Sequence, residues 1–151
     1  MRASTTRAAI PFDRPVIADT SALIAASTKE RGHERLRDAL TSGGVKVPAP
    51  VVVEFERVTA LDGNVTDPDA RAFLSTLFDL GVEVLAFDEP MARAAADANS
   101  VFGSGDGRGS PLNVLDLMVY GVAKVTNLPI LCTGKDFART DIAIHPASRV
   151  G

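Results

Sequence analysis

The chain has 151 residues, 46% of them hydrophobic. That is enough for one well-buried domain, because domains of about 150 residues hide roughly 68–70% of the surface that the unfolded chain exposes. Its single cysteine, Cys132, excludes an internal disulfide and is expected to be a small core residue at the end of an apolar run. No apolar stretch approaches the ~20 residues that cross a bilayer, so we expect a cytoplasmic protein without a membrane partner.

Residues 1–14, rich in Arg, Ala and Thr, are expected to form an irregular extension before one domain over residues 15–151. Strand-like and helical patterns then alternate. Strands are predicted at Val16–Asp19, Val45–Val47, Val82–Leu85, Ile130–Cys132 and Ile142–His145, and helices at Ala22–Ala26, Glu30–Leu40, Val51–Leu61, Pro68–Leu80, Pro90–Val101 and Val114–Val125. The alternation predicts an α/β fold, with a central parallel sheet covered by helices on both faces.

Four carboxylates each follow or interrupt an apolar run. They are Asp19 after the first strand, Glu54 after Val51–Val53, Asp116 inside the apolar run that begins Leu112-Asn113-Val114-Leu115, and Asp136 shortly after the fourth strand. A buried acid is costly unless it is paired or holds a cation, so four such acids that converge predict a divalent metal ion. The two histidines are too few and too far apart for a histidine metal site, which leaves hard oxygen ligands.

Asp19 and Asp116 each have an ordinary structural explanation as well. Asp19 lies at the carboxyl end of the first strand, where parallel sheets bind ligands, and with Thr20 and Ser21 it also suits the cap of the next helix. Asp116 is the third residue of a helix that Asn113 is expected to cap, which is the pattern of a capping box. Both uses of each residue stay open.

Glu54 is expected on the helix line Val51, Glu54, Val58 and Leu61 that faces the sheet. Arg57, three residues on, offers an alternative ion pair on the helix surface. A carboxylate on the buried line needs a cation, which favours a role in the site.

Asp136 follows Gly134 after the fourth strand, where it lies either beside the strand end or in an ordinary turn. Asp141 is expected to be structural, bonding the backbone before the last strand, and it stays a candidate support for the ligands. Thr133, at the start of this turn, is a second such support.

The contexts of the four acids together resemble the PIN-domain ribonucleases, specifically VapC-type toxins of type II toxin-antitoxin pairs. These contexts are Val-Ile-Ala-Asp19-Thr-Ser-Ala-Leu, Ala-Pro-Val-Val-Val-Glu54-Phe, Leu-Asn113-Val-Leu-Asp116-Leu-Met-Val-Tyr and Leu-Cys-Thr-Gly-Lys-Asp136-Phe-Ala-Arg-Thr-Asp141-Ile. The resemblance spans residues 16–145, and its specificity lies in the ordered set. One departure is Leu115, where many relatives carry glycine.

The resemblance implies a Rossmann-like central parallel sheet of four to five strands. It further implies a Mg²⁺ or Mn²⁺ site formed by the four acids, endonucleolytic cleavage of RNA, a homodimer and inhibition by a cognate antitoxin protein. Thr20, Ser21, Asn113, Thr133 and Asp141 are then expected to support the ligands. An acid-floored cleft requires single-stranded or looped RNA, and the candidate phosphate contacts are Arg108, Lys124, Lys135 and Arg139.

The net charge of −3 argues at first against RNA as a partner, but removing the four candidate ligands leaves a charge of +1 on the remaining residues.

Other classes of protein fit this sequence less well. A receiver domain needs a pair of acids after the first strand and a lysine after the fifth, and this chain has neither. A haloacid dehalogenase-type phosphatase needs a second aspartate where Ser21 stands. A PIN fold that only binds a partner stays open.

Overall fold

The first strand lies inside the sheet, between strands that come later in the chain. The computed structural model describes residues 15–61, 65, 67–105, 107 and 109–149. Within them the sheet has four parallel strands in the order β3-β2-β1-β4: β1 Val16–Ala18, β2 Val45–Pro48, β3 Glu83–Leu85 and β4 Ile130–Leu131. The strand order therefore reverses next to β1, which is where such sheets bind ligands.

Helices connect and flank the strands, so the predicted α/β fold with a parallel sheet is confirmed. They are α1 Thr20–Ser27, α2 His33–Thr41, α3 Ala49–Leu61, α4 Pro68–Arg71, α5 Phe73–Asp79, α6 Glu89–Phe102 and α7 Val114–Thr126, followed by a short 3-10 helix at Phe137–Arg139. Strand β1 is completely buried, with exposures of 0–2%, as expected for a strand covered on both faces. Cys132 is buried, as predicted.

Three predicted elements differ from the structure. Helix α2 begins at His33 rather than at Glu30, because Gly32 has a left-handed backbone that cannot continue a helix (φ 82°). The helix predicted over residues 68–80 is two helices that meet at Ala72, and no glycine or proline stands there to signal the break. The predicted strand at residues 142–145 is a single bridge between Ile144 and Ile130, because β4 offers only two residues for pairing.

Helices α6 and α7 pack closely through a glycine. A Cβ placed on Gly121 of α7 would lie 2.3 Å from the backbone oxygen of Met91 and 3.2 Å from the Cβ of Ala95. This close approach fixes the position of α7, the helix that carries Asp116 at its start. None of the helices in the described part of the chain is long and apolar enough to cross a membrane.

Candidate active site

The four predicted acids come from four different elements near the carboxyl ends of the strands. Asp19 follows β1 and is buried, at 6% exposure. Asp116 lies in the first turn of α7 and Glu54 in α3, both half-buried, and Asp136 is exposed in the turn after β4. Strands β1 and β4 are parallel neighbours, so the segments that carry Asp19 and Asp136 leave the sheet at the same edge.

A chain of hydrogen bonds ties Asp19 to the end of β4. The Asp19 Oδ2 accepts from the backbone N–H of Ser21 at 3.1 Å and from its hydroxyl at 2.6 Å, so Asp19 caps helix α1. The Ser21 hydroxyl in turn accepts from the backbone N–H of Thr133 at 3.0 Å. Ser21 thus fixes the rotamer of Asp19 and links it to the turn that carries Asp136.

Asp116 takes part in the cap of its helix and is also electrostatically coupled to the other acids. The Asn113 side chain accepts from the backbone N–H of Asp116 at 2.9 Å, and Asp116 Oδ2 accepts from the backbone N–H of Asn113 at 3.1 Å. This is the predicted capping box. The structural and the site interpretations of Asp116 are therefore compatible in one conformation.

Asp116 is electrostatically coupled to the other three carboxylates. Burial, and after it the charges of Asp19, Asp136 and Glu54, raise the pKa of Asp116 from 3.8 to about 6 against the opposing Asn113 hydrogen bond. Burial also raises the pKa of Asp19, and the charge of Glu54 adds to this effect against the Ser21 hydrogen bonds. Among the described residues, none of the four acids forms an ion pair. Within the described part of the chain, their negative charge has no basic partner at ion-pair distance.

The donor set fits a hard divalent cation. All four groups are carboxylates, the ligands that Mg²⁺ prefers, and the Thr20 hydroxyl beside Asp19 is buried without a hydrogen-bond partner among the described residues. As the side chains lie, no three His, Cys, Asp or Glu groups of the described ranges are close enough to enclose an ion by themselves. Mg²⁺ keeps several waters and uses one or two carboxylates directly, so this spacing agrees with a hydrated ion.

The raised pKa of Asp116 predicts an unusual pH dependence for the metal-free protein. Between about pH 4 and 6 the folded Asp116 holds a proton that the unfolded chain has released, so the folded state binds more protons and its stability falls as the pH rises. We expect this loss in urea unfolding with EDTA present. Asp116→Asn cannot ionise, so its stability relative to the wild type should rise across the same window. Parallel pH curves for the two proteins would contradict the assignment.

Helix α3 is rotated from the orientation predicted for it. Its buried residues are Val51, Phe55 and Thr59, whereas Leu61, predicted to face the sheet, is 68% exposed. The line through Glu54 is therefore wrong as the core face, because Phe55 takes the central position. Glu54 instead lies at the edge of that face, half-buried, where its carboxylate contributes to the field at Asp116.

A large apolar groove adjoins Glu54. It has a volume of about 690 Å³ and lies between α3, α7 and the segment after β3. Its lining residues include Val53, Val58, Phe87, Leu115 and Met118, together with Glu54 and Arg57. Leu115, the residue that stands in place of the glycine of many relatives, thus forms part of the groove wall beside Asp116.

The remaining predicted residues lie in different settings. Lys135 is exposed next to Asp136, and the Arg139 guanidinium donates to the carbonyl of Gly109 at 3.1 Å. Lys124 pairs with Asp141 at 2.7 Å, and the Tyr120 hydroxyl also donates to this carboxylate. These two bonds, together with a weaker one from its own backbone, lower the pKa of Asp141. Arg108 and the extension over residues 1–14 lie outside the described residues.

The cysteine takes no part in nucleophilic chemistry. Burial, together with the charges of Asp19 and Asp136, raises the pKa of the Cys132 thiol to about 12. A buried thiol that keeps its proton at neutral pH is a poor nucleophile. The chemistry of the site therefore belongs to the oxygen groups.

Comparison with known proteins agrees with this fold. The PIN domain family model matches residues 16–143. Ribonuclease VapC42 of Mycobacterium tuberculosis is 36% identical over 129 residues, which cover 84% of this chain and 96% of the relative. The chain belongs to the PIN-domain family. Its resemblance to the VapC-type ribonucleases, drawn above from the sequence, is confirmed.

Two solved structures share the fold at low sequence identity. The M. tuberculosis toxin VapC20, described as cleaving the sarcin-ricin loop, superposes with a TM-score of 0.65 at 14% identity, covering 84% of this chain and 95% of that one. A toxin-antitoxin complex from Klebsiella pneumoniae gives 0.59 at 13% identity, with 83% and 92% covered. These neighbours confirm the fold class.

Sequence reasoning did not identify the partners of Asp141. Tyr120, the one tyrosine of the chain, donates its hydroxyl to Asp141 at 2.7 Å. A signal was present, because Asp116, Tyr120 and Lys124 follow each other at four-residue spacing and so share one side of the helix.

Proposed function

We propose that this protein is a Mg²⁺-dependent endoribonuclease that acts in the cytoplasm as the toxin of a toxin-antitoxin pair, with Mn²⁺ as an alternative ion. The observation that carries the proposal is the electrostatic coupling of four carboxylates that have no basic partner among the described residues: Asp19, Glu54, Asp116 and Asp136. The 36% identity to a VapC ribonuclease over most of both chains supports the RNA substrate.

The site residues divide between holding an ion and handling a proton. Asp19, Asp116 and Asp136 would hold the ion, directly or through its waters. When bound, such an ion neutralises charge on the phosphate and makes a nearby water more acidic. Glu54 either anchors the ion through water or accepts the proton of the attacking water on its carboxylate. The capping bonds of Asp19 and Asp116 hold both carboxylates in place before substrate arrives.

The proposed substrate is single-stranded or looped RNA, whose backbone can reach an acid-floored cleft. Lys135 and Arg139, both exposed in the turn of Asp136, are the basic residues best placed to meet a phosphate. Lys124 is the weaker candidate, since its ammonium is already paired with Asp141. The runner-up is a PIN fold that binds a partner without cleaving RNA.

Metal removal separates these two functions. We expect purified protein to cleave a structured RNA with Mg²⁺, to lose cleavage in excess EDTA, and to regain it when Mg²⁺ or Mn²⁺ is added back. The products, separated on a denaturing gel, should be internal fragments. Intact RNA at every Mg²⁺ concentration, from a folded protein freed of any antitoxin, would favour the binding module.

The proposed partners are a cognate antitoxin and a second copy of the chain. The antitoxin is supported by structural neighbours that include a toxin-antitoxin complex. The homodimer is supported by the apolar groove beside Glu54 and by Val53 at its rim, which is 68% exposed. Light scattering should then give twice the chain mass of 15.9 kDa. Val53→Asp should give the monomer mass, while Leu80→Asp, equally exposed but remote from this groove, should not.

A further inference from the structure

A cluster of three side chains joins helix α7 to the segment after β4. The Tyr120 hydroxyl donates to Asp141 Oδ1 at 2.7 Å, and the Lys124 ammonium donates to Asp141 Oδ2 at 2.7 Å. Both carboxylate oxygens are therefore held by one helix. We call Tyr120, Lys124 and Asp141 the Asp141 clamp.

The helix side of the clamp is rigid. Tyr120 is 5% exposed, and its ring packs against Phe102 of α6 with 5.6 Å between the ring centroids. Gly121, the next residue, lies against the backbone of α6, so α7 cannot shift easily at this level. The Tyr120 hydroxyl thus presents a fixed donor to Asp141.

The loop side of the clamp is continuous with Asp136. The backbone N–H of Arg139 donates to the carbonyl of Asp136 at 3.3 Å, and the hydroxyl of Thr140 donates to the carbonyl of Phe137 at 2.7 Å. The backbone N–H of Ile142 then donates to the Thr140 hydroxyl at 3.2 Å. Residues 136–142 form one hydrogen-bonded turn, anchored by the buried ring of Phe137. The position of Asp141 is therefore linked to that of Asp136 through the hydrogen bonds of this turn.

Asp116 lies one helical turn before Tyr120, on the same side of α7. The clamp consequently spans the two elements that carry Asp116 and Asp136, whose charges already act on each other. The repulsion between these two charges favours a wider spacing of the elements that carry them. The clamp is a direct side-chain connection between α7 and the turn of Asp136.

We propose that Asp141 is a positioning residue that, through Tyr120 and Lys124, sets the spacing of the Asp116 and Asp136 carboxylates for one divalent cation. The inference rests on the proposed function, since it assumes that these acids hold an ion. A purely structural role predicts a different outcome: the Lys124–Asp141 pair is half exposed, and such pairs contribute little to stability. Loss of the clamp should therefore weaken metal binding more than it weakens the fold.

The test is a calorimetric titration of the metal-free protein with Mn²⁺ alone, which gives the Kd of Mn²⁺. We expect Asp141→Ala to raise the Mn²⁺ Kd about tenfold, the lower end of the effect of removing groups that orient metal ligands. Tyr120→Phe, which removes only the hydroxyl, should weaken binding in the same direction, and Lys124→Arg should restore most of the affinity that Lys124→Ala loses. Thermal unfolding of each variant shows that it is folded.

The matched control is Glu83→Ala, which breaks the pair between Glu83 and Lys46 on the far edge of the sheet. It should keep the wild-type Mn²⁺ Kd. If Asp141→Ala and Tyr120→Phe, both folded, bind Mn²⁺ as the wild type does while Asp19→Asn does not, the positioning role is wrong and the proposed metal site stands. If Asp19→Asn also keeps the wild-type Kd, both proposals are overturned. Should Asp141→Ala fail to fold, Tyr120→Phe alone decides.

Discussion

Asp19→Asn is expected to lower metal-dependent RNA cleavage by more than about a hundredfold. Removing a residue that only orients a metal ligand costs 10–100-fold, and a direct ligand should cost more. Asparagine keeps the size of the side chain and an oxygen that accepts from Ser21, so the cap of α1 survives. Cleavage of one RNA under single-turnover conditions, with Mg²⁺ varied, measures the loss.

The same substitution is expected to stabilise the metal-free protein. Burial and the charge of Glu54 raise the pKa of Asp19, which means that the folded state disfavours its charged form. A neutral amide avoids the cost of burying this charge. In EDTA at neutral pH, the free energy of unfolding of Asp19→Asn should therefore exceed that of the wild type. Lower activity with higher stability is the signature of a residue kept for function.

Asp97→Asn is the control for Asp19→Asn. Asp97 is exposed on α6, so its substitution changes the net charge equally without entering the cleft. It should retain wild-type cleavage. Wild-type cleavage by Asp19→Asn as well would reject the site. A comparable loss in both would assign the effect to overall charge.

Gly121→Ala is expected to destabilise the fold by about 1–3 kcal/mol, the usual cost of overpacking. The added Cβ would lie 2.3 Å from the carbonyl oxygen of Met91, and a backbone atom cannot turn aside as a flexible side chain can. Alanine favours a helix over glycine by about 1 kcal/mol, so the clash must exceed this gain for the protein to be destabilised. We expect that it does, because α6 has to move as a whole.

Urea unfolding monitored by circular dichroism gives the free energy for Gly121→Ala. Val125→Ala, on an exposed part of the same helix, should stay within about 0.5 kcal/mol of the wild type. An unfolding free energy for Gly121→Ala at or above the wild-type value would show that the helices separate at no cost. Because Asp116 and Tyr120 are on α7, weaker Mn²⁺ binding should accompany the loss of stability.

Local sequence signals predicted the caps and most element ends. Asn113 and Asp116 form the capping box that their spacing indicates, and Asp19 caps helix α1 as its position after β1 allowed. Such motifs succeed because both partners lie within one turn of chain. The alternation of strands and helices likewise predicted the parallel sheet, since each parallel pair needs a crossover connection.

Other features depended on neighbours that are distant in sequence. Helix α3 carries apolar residues on more than one side, so its periodicity allowed two core faces, and packing selected the one with Phe55 rather than the one with Leu61. The partners of Asp141 are 17 and 21 residues away on another helix. The four-residue spacing of Tyr120 and Lys124 places them on one side of α7, but it does not identify Asp141 as their common partner.

The sequence by itself therefore determined the order of strands and helices, the residue types of the site and the family, because these follow from short-range periodicity, capping and motif spacing. Only the tertiary structure decided which face of α3 is buried, where the helix near Ala72 breaks, and that Lys124 binds Asp141. It also brought the charges of Asp19, Glu54, Asp116 and Asp136 into one field. The physical reason is that burial and electrostatic coupling depend on distances in space, which the order of residues does not specify.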